Sequence, residues 1–139
     1  MIVLDRVPLE DIERVWPYVE AYIQAGIDAV TTSETVDNIK AEMLADRLGL
    51  WVIFETDTPL PFLGAVAVGS RETNDGLVTV IRCCGGREGH KWIRPCLAEL
   101  EGHAKAAGAV KIELEGRRGW RRVLPDYREA RVVLEKVLT

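Results

Sequence analysis

A chain of 139 residues with 47% hydrophobic content is sized for one continuous core, so a single domain over residues 1–139 is expected. No apolar run reaches the roughly 20 residues that span a bilayer, and the start MIVLDRVPLEDIERVW mixes charged with apolar residues unlike a signal peptide, so a cytoplasmic protein without a membrane partner is expected. The net charge of −4 divides unevenly, with 5 Lys/Arg against 14 Asp/Glu in residues 1–80 and 13 against 8 in residues 81–139. A basic second half suits an anionic ligand, and attraction between the two halves accounts for the same asymmetry. Three cysteines, two of them adjacent at Cys83 and Cys84, make no disulfide framework. No Cys or His pair stands at zinc-ligand spacing either, so reduced thiols and no metal are expected.

In chain order, residues 2–7 read as a strand. Pro8 then opens a helix whose apolar residues Leu9, Ile12, Trp16, Val19 and Ile23 step by three and four. Pro17 is expected to kink or split that helix, because it removes an internal hydrogen bond. A second helix, capped by Ser33 or Thr35, turns Val36, Ile39, Met43 and Leu44 inward and stops at Gly49. From Leu50 the period becomes two, and the turn Thr58-Pro59-Leu60-Pro61 returns the chain as the strand PFLGAVAVGS, with Gly64 inside it. The turn residues Glu72 to Gly76 lead to a third strand of this meander, LVTVI.

The Gly-rich stretch CCGGREGHK reads as a loop before a helix with Ile93, Cys96, Leu97, Leu100, Ala104 and Ala107 on one face. Pro95 fits only its first turn. VKIELE is a strand, RGWRRVL a short helix, and REARVVLEKVL a closing strand. The expected class is α/β (α+β) in the order β-α-α-β-β-β-α-β-α-β, with about six strands in a mostly antiparallel mixed sheet flanked by helices.

The unit running from LVTVI through the Gly-rich loop and its helix to VKIELE makes a natural anion site. The helix start leaves amide N–H groups unpaired, and glycine lets the backbone approach a phosphate. With these elements in view, the chain resembles the Gcn5-related N-acetyltransferase (GNAT) fold over nearly its full length. PCLAELEGHAKAAGAVKIELE is similar to the family's post-loop helix and fifth strand, and RRGWRRVLPDYREARVVLEKVL to its last short helix and C-terminal strand. A narrower likeness is to small acetyltransferase-like proteins of bacteriophage genomes, some of them virion components.

The resemblance implies acetyl-CoA as cofactor, held around Ile81, Arg82, Cys83, Gly85, Gly86, Arg87, Gly89, His90 and Lys91. The family loop Gln/Arg-x-x-Gly-x-Gly/Ala fits in two frames. One puts Glu88 at its Arg and keeps only Gly89; the other starts at Arg82 and needs a longer loop. Arg82, Arg87 and Lys91 offer charge to a phosphate in either frame.

For the chemistry, Glu55 and Glu113 are candidate bases, with Glu115 beside them, and each also reads as a solvent-facing strand residue. The family's acidic tyrosine position falls on Leu124, with Tyr127 three residues on as the candidate acid. His103 reads as an exposed helix residue, and Cys83-Cys84 as small buried hydrophobes rather than nucleophiles. Arg117, Arg118, Arg121 and Arg122 flank Trp120, but the chain is acidic overall and carries no recognised nucleic-acid motif, so nucleic acid is not the expected partner.

The resemblance implies transfer of an acetyl group to a small or peptidyl amine. The alternative is a non-catalytic structural or interaction protein with a partner in a phage particle, located in the host cytoplasm or the virion. A homodimer is a further implication of the family.

Overall fold

The computed structural model describes residues 1–30, 34–58, 62–116 and 120–139. Five strands make one sheet in sequential order: β1 (Ile2–Arg6), β2 (Gly49–Glu55), β3 (Phe62–Thr73), β4 (Gly76–Gly86) and β5 (Lys111–Leu114). The first three pairings are antiparallel and the last, β4 with β5, is parallel. Parallel neighbours need a crossover. Here it is α3 (Ile93–Ala106), while α1 (Ile12–Asp28) and α2 (Val36–Leu44) fill the long connection between β1 and β2.

Strand alternation sends two sets of side chains to opposite faces. On one face Leu50, Val52, Ala65, Ala67 and Cys83 pack against Trp16, Val19, Ile23 and Ile27 of α1 and Ile39 and Met43 of α2. On the other, Leu4, Ile53, Leu63, Val66 and Ile81 pack against Cys96, Leu97 and Leu100 of α3 and against Leu124. This is a three-layer α/β domain.

The structure corrects several local expectations. α1 runs without a break through Pro17. Pro17 and Glu13, one turn earlier, are both exposed, so the helix carbonyl that proline leaves without an amide partner faces water. Leu9 lies in a short 3-10 turn, Leu9–Asp11, rather than in the buried stripe. Thr35 caps α2, its Oγ1 accepting from the Asn38 amide at 3.1 Å; Ser33 lies outside the described residues, as do Pro59 to Pro61 of the expected turn. α2 ends at Leu44, half exposed, and Gly49 begins β2 instead of closing the helix.

The largest differences concern β4 and the C-terminus. β4 continues five residues past LVTVI, so Cys83 to Gly86 are strand and not loop. Packing explains it: a Cβ on Gly85 would collide with the Tyr22 carbonyl, and one on Gly26 would lie 2.9 Å from the Cys84 carbonyl oxygen. α1 crosses β4 in backbone contact, and only glycine fits at the crossing. The expected closing strand REARVVLEKVL is absent, because residues 128–139 form neither helix nor strand and expose their apolar side chains. The sheet therefore has five strands among the described residues, and the element order ends at α4 (Trp120–Val123).

Candidate functional site

β4 and β5 pair only from Val78 with Lys111 to Ile81 with Leu114. Beyond that point β4 runs on toward Gly86, paired with β3 but, among the described residues, with no strand on its β5 side. A bulge lies at the same place. Val68 faces Ile81 and Ala67 faces Cys83, so Arg82 is the extra residue, inserted where the strands part. The bulge also explains the faces, since Ile81 and Cys84 belong to the α3 side while Cys83 belongs to the α1 side.

Beneath the parting lies a narrow cleft, part of it open to solvent. Its walls are Val66 of β3, Ile81 and Cys84 of β4, Trp92, Ile93, Cys96, Leu97 and Leu100 on the α3 side, Leu114 of β5 and Trp120 of α4. They are apolar apart from two thiols and two indoles. Burial pushes the Cys84 thiol up to about 12 and the Cys96 thiol to about 11 from an ordinary 9.0. Cys83, on the opposite face, is pushed up to about 11 by burial, so all three thiols stay protonated and unreactive near neutral pH.

At the rim, the chain turns from β4 into α3. Glu88 takes a left-handed conformation (φ 54°), and Gly89–Lys91 make a single 3-10 turn. The Arg87 amide donates to Leu63, Lys91 to Glu88 and Trp92 to Gly89, while the amides of Glu88, Gly89 and His90 have no backbone partner among the described residues. Trp92 anchors the turn: its indole packs on Gly64 and Gly86, and its Nε1–H donates to the Arg87 carbonyl at 2.9 Å.

Glu88 lies between the turn's cations, 2.9 Å from Lys91 Nζ and 3.3 Å from Arg87 Nη1. The Lys91 hydrogen bond holds the Glu88 carboxyl below its ordinary range and raises the Lys91 ammonium in return. An arriving phosphate would therefore compete with a carboxylate already present.

The expected cofactor residues thus divide. Arg87, Gly89, His90 and Lys91 lie together on the turn, with His90 exposed, and Ile81 lies in the cleft. Gly85 and Gly86 are strand residues whose missing side chains make room for Tyr22, Leu63 and Trp92. Arg82 and Cys83 face the α1–α2 layer, where the Arg82 guanidinium pairs with Glu34.

Among the acid–base candidates, Glu55 ends β2 close enough to the turn that its charge supports the Lys91 ammonium. Glu113 is clamped by Arg71 at 2.7 Å, Arg131 at 3.1 Å and Lys111 at 3.8 Å. Burial alone would raise its carboxyl, but the hydrogen bonds from the two arginines prevail and hold it below the ordinary range. A carboxylate so held is a poor proton acceptor at neutral pH. Glu115 lies 3.9 Å from Arg131. The Tyr127 hydroxyl donates to Glu101 of α3 at 2.9 Å, and burial followed by that bond raises its pKa. Leu124 is buried, and His103 is exposed with its ring 4.9 Å from that of Trp51. Arg117 and Arg118 lie outside the described residues.

Sequence reasoning missed Glu34 and Trp92. Glu34 stands 48 residues from Arg82 in the chain, and nothing in the sequence joins them. The signal for Trp92 was available, since a tryptophan directly after a Gly-rich stretch has small residues to pack upon.

No family model and no curated protein matches the sequence. Solved structures do match. A predicted acetyltransferase with acetyl-CoA from Clostridium acetobutylicum superposes with a TM-score of 0.68 at 16% identity, covering 99% of this chain and 96% of that one. The protein has the GNAT acetyltransferase fold. Glucosamine-6-phosphate N-acetyltransferase from Arabidopsis thaliana matches this GNAT-fold chain with a TM-score of 0.68 at 15% identity, covering 100% and 99%. An aminoglycoside acetyltransferase from an uncultured soil metagenomic sample, in complex with sisomicin, gives 0.68 at 10% identity, covering 99% and 97%. Among the described residues of the GNAT-fold chain, no helix is long and apolar enough to cross a membrane.

Proposed function

We propose that the protein is an acyl-CoA-dependent N-acyltransferase, transferring an acetyl group to a small or peptidyl amine in the cytoplasm. The observation that carries this reading is the parting of β4 from β5 beyond Ile81 and Leu114, over an apolar cleft with cationic residues at its rim and amides there that have no backbone partner among the described residues. An extended ligand with amide groups fits the free edge of β4, as an added strand does. Its apolar stretches fit the cleft, and a pyrophosphate fits the Glu88–His90 amides with Arg87 and Lys91 beside them. When bound, acetyl-CoA supplies an activated thioester carbonyl.

The chain's own groups take the remaining roles. The Arg82 bulge frees backbone from the ladder, and an amide there serves as hydrogen-bond donor to the carbonyl oxygen. Glu34, paired with Arg82 on the α1–α2 side, orients an incoming amine by a hydrogen bond, and the amine's proton leaves to solvent. Tyr127 is bound to Glu101, so the leaving thiolate draws its proton from solvent. Release of free CoA thiol from acetyl-CoA in the presence of a panel of primary amines tests the reading. Turnover that falls at least tenfold in Glu34→Gln supports it, and binding without turnover for every amine rejects the catalytic part.

One observation favours a second reading. Glu88 already pairs with Arg87 and Lys91 and offsets part of their charge, which suits a GNAT-fold protein with a structural role, for instance in a bacteriophage particle. Failure to bind either acetyl-CoA or CoA would select that reading.

A further inference from the structure

The Glu34–Arg82 pair stands where the helical layer meets the open end of the sheet. Glu34 directly precedes Thr35, the cap of α2, and Arg82 is the extra residue of the bulge at which β4 and β5 part. Their side chains are 26% and 29% exposed, so a solute reaches them, yet a charge left unpaired there is costly. The carbonyl end of α1 lies close by, since Gly26, two residues before the helix ends at Asp28, packs on the Cys84 backbone. Such a helix end favours a cation.

An acceptor amine that hydrogen-bonds Glu34 competes with Arg82 for its carboxylate. An amine with no other charged group leaves the half-buried guanidinium with a weaker partner. A ligand that carries a carboxylate beside its amine avoids this loss. Its nitrogen takes the place of Arg82 at Glu34, and its carboxylate takes the place of Glu34 at Arg82, where guanidinium and carboxylate match fork to fork. The two protein groups are in direct contact, so the two ligand groups must lie equally close, as they do across the single carbon of an α-amino acid. α1 and α2 belong to the acidic half of the chain, with 5 Lys/Arg against 14 Asp/Glu in residues 1–80, so a carboxylate without an ammonium is repelled.

We propose that the acceptor is a free α-amino acid, its carboxylate held by Arg82 and its amine by Glu34. The residue whose backbone opens the ladder also carries the guanidinium, so a carboxylate held there brings the adjoining nitrogen to the parting of the strands. The inference rests on the acyltransferase reading and narrows it. The neutral nitrogen attacks the thioester carbonyl, an N–C bond forms as the C–S bond breaks, and the products are an N-acetyl amino acid and the CoA thiol. Of the two protons the ammonium loses, the thiolate recovers one through solvent. A peptide N-terminus or a polyamine lacks the adjoining carboxylate and is a poor acceptor.

Release of CoA thiol from acetyl-CoA, measured with a panel of L-amino acids and with the α-amide of each, tests this. The amide keeps the amine and the side chain and removes only the charged carboxylate. The best amino acid should exceed its amide about a hundredfold in kcat/KM. Arg82→Gln should cut that ratio to about tenfold or less, with Arg82→Lys in between. Both substrates are compared in one preparation, so the ratio does not depend on how much of a variant is folded. Amides that turn over as well as amino acids, or a preference that survives Arg82→Gln, overturn the proposal and leave the acyltransferase reading standing. No turnover with any amine overturns both.

Discussion

The two edges of β4 behave differently. β3 follows it over its whole length, from Thr73 with Gly76 to Gly64 with Gly86, while α1 presses on its face at Gly85. β5 leaves it after Ile81, and the space gained is lined by apolar side chains of β3, β4, β5, α3 and α4. The first edge is a rigid floor built by backbone contact. The second is a cleft, and catalysis and binding need such a gap next to a part that does not move.

Crowding the floor should have the largest effect. Gly85→Val drives a branched side chain into the α1 backbone and should destabilise the fold by about 3 kcal/mol or more, lowering the melting midpoint by roughly 10 °C. A melting curve within a degree or two of the parent would show that the crossing is looser than described.

Filling the cleft should act on binding as well as on stability. Cys96→Phe puts a ring among the cleft's walls and should weaken acetyl-CoA binding at least tenfold, a loss of about 1.4 kcal/mol or more, while overpacking at this buried position costs about 1–3 kcal/mol of stability. Undiminished affinity in this variant would put the ligand elsewhere.

The buried thiols should make the protein sensitive to alkali. Their folded values lie above the ordinary 9.0, so the unfolded chain loses protons first as pH rises. The stability they contribute is complete below pH 9 and is lost as pH climbs toward 11 to 12. Denaturation titrations at pH 8 and pH 10.5 should show the decline, and Cys84→Ala should reduce it. An unchanged slope in that variant would mean Cys84 is hydrated and the cleft more open.

The smallest effect concerns the rim. Glu88→Gln removes the carboxylate from between Arg87 and Lys91 and should tighten CoA about threefold at low salt, with the gain fading as salt rises. Weaker binding would mean that Glu88 takes part in holding the ligand.

Much of the scaffold was legible because burial imposes a period. The spacing of Ile12, Trp16, Val19 and Ile23 located α1, and all four are buried. A cap at Ser33 or Thr35 was legible from a hydroxyl just before the apolar stripe, and Thr35 is the one that accepts from the Asn38 amide. The end of β4 was not. Gly85 and Gly86 read as loop because their requirement comes from Tyr22 and Leu63, more than 20 residues away. The closing strand was read from the apolar pattern of REARVVLEKVL, which records an ability to pair and not the presence of a partner. Within the site, the turn from Arg87 to Lys91 was visible as charge and glycine. The Glu34–Arg82 pair was invisible, since an ion pair between distant segments leaves no local pattern.

The account depends most on the cleft between β4 and β5 receiving acyl-CoA, and calorimetric titration of the full-length protein with acetyl-CoA tests that directly. It predicts one site per chain, with an affinity that falls as salt is raised and is at least tenfold weaker in Cys96→Phe. Neither heat nor thermal stabilisation at millimolar acetyl-CoA or CoA would contradict it.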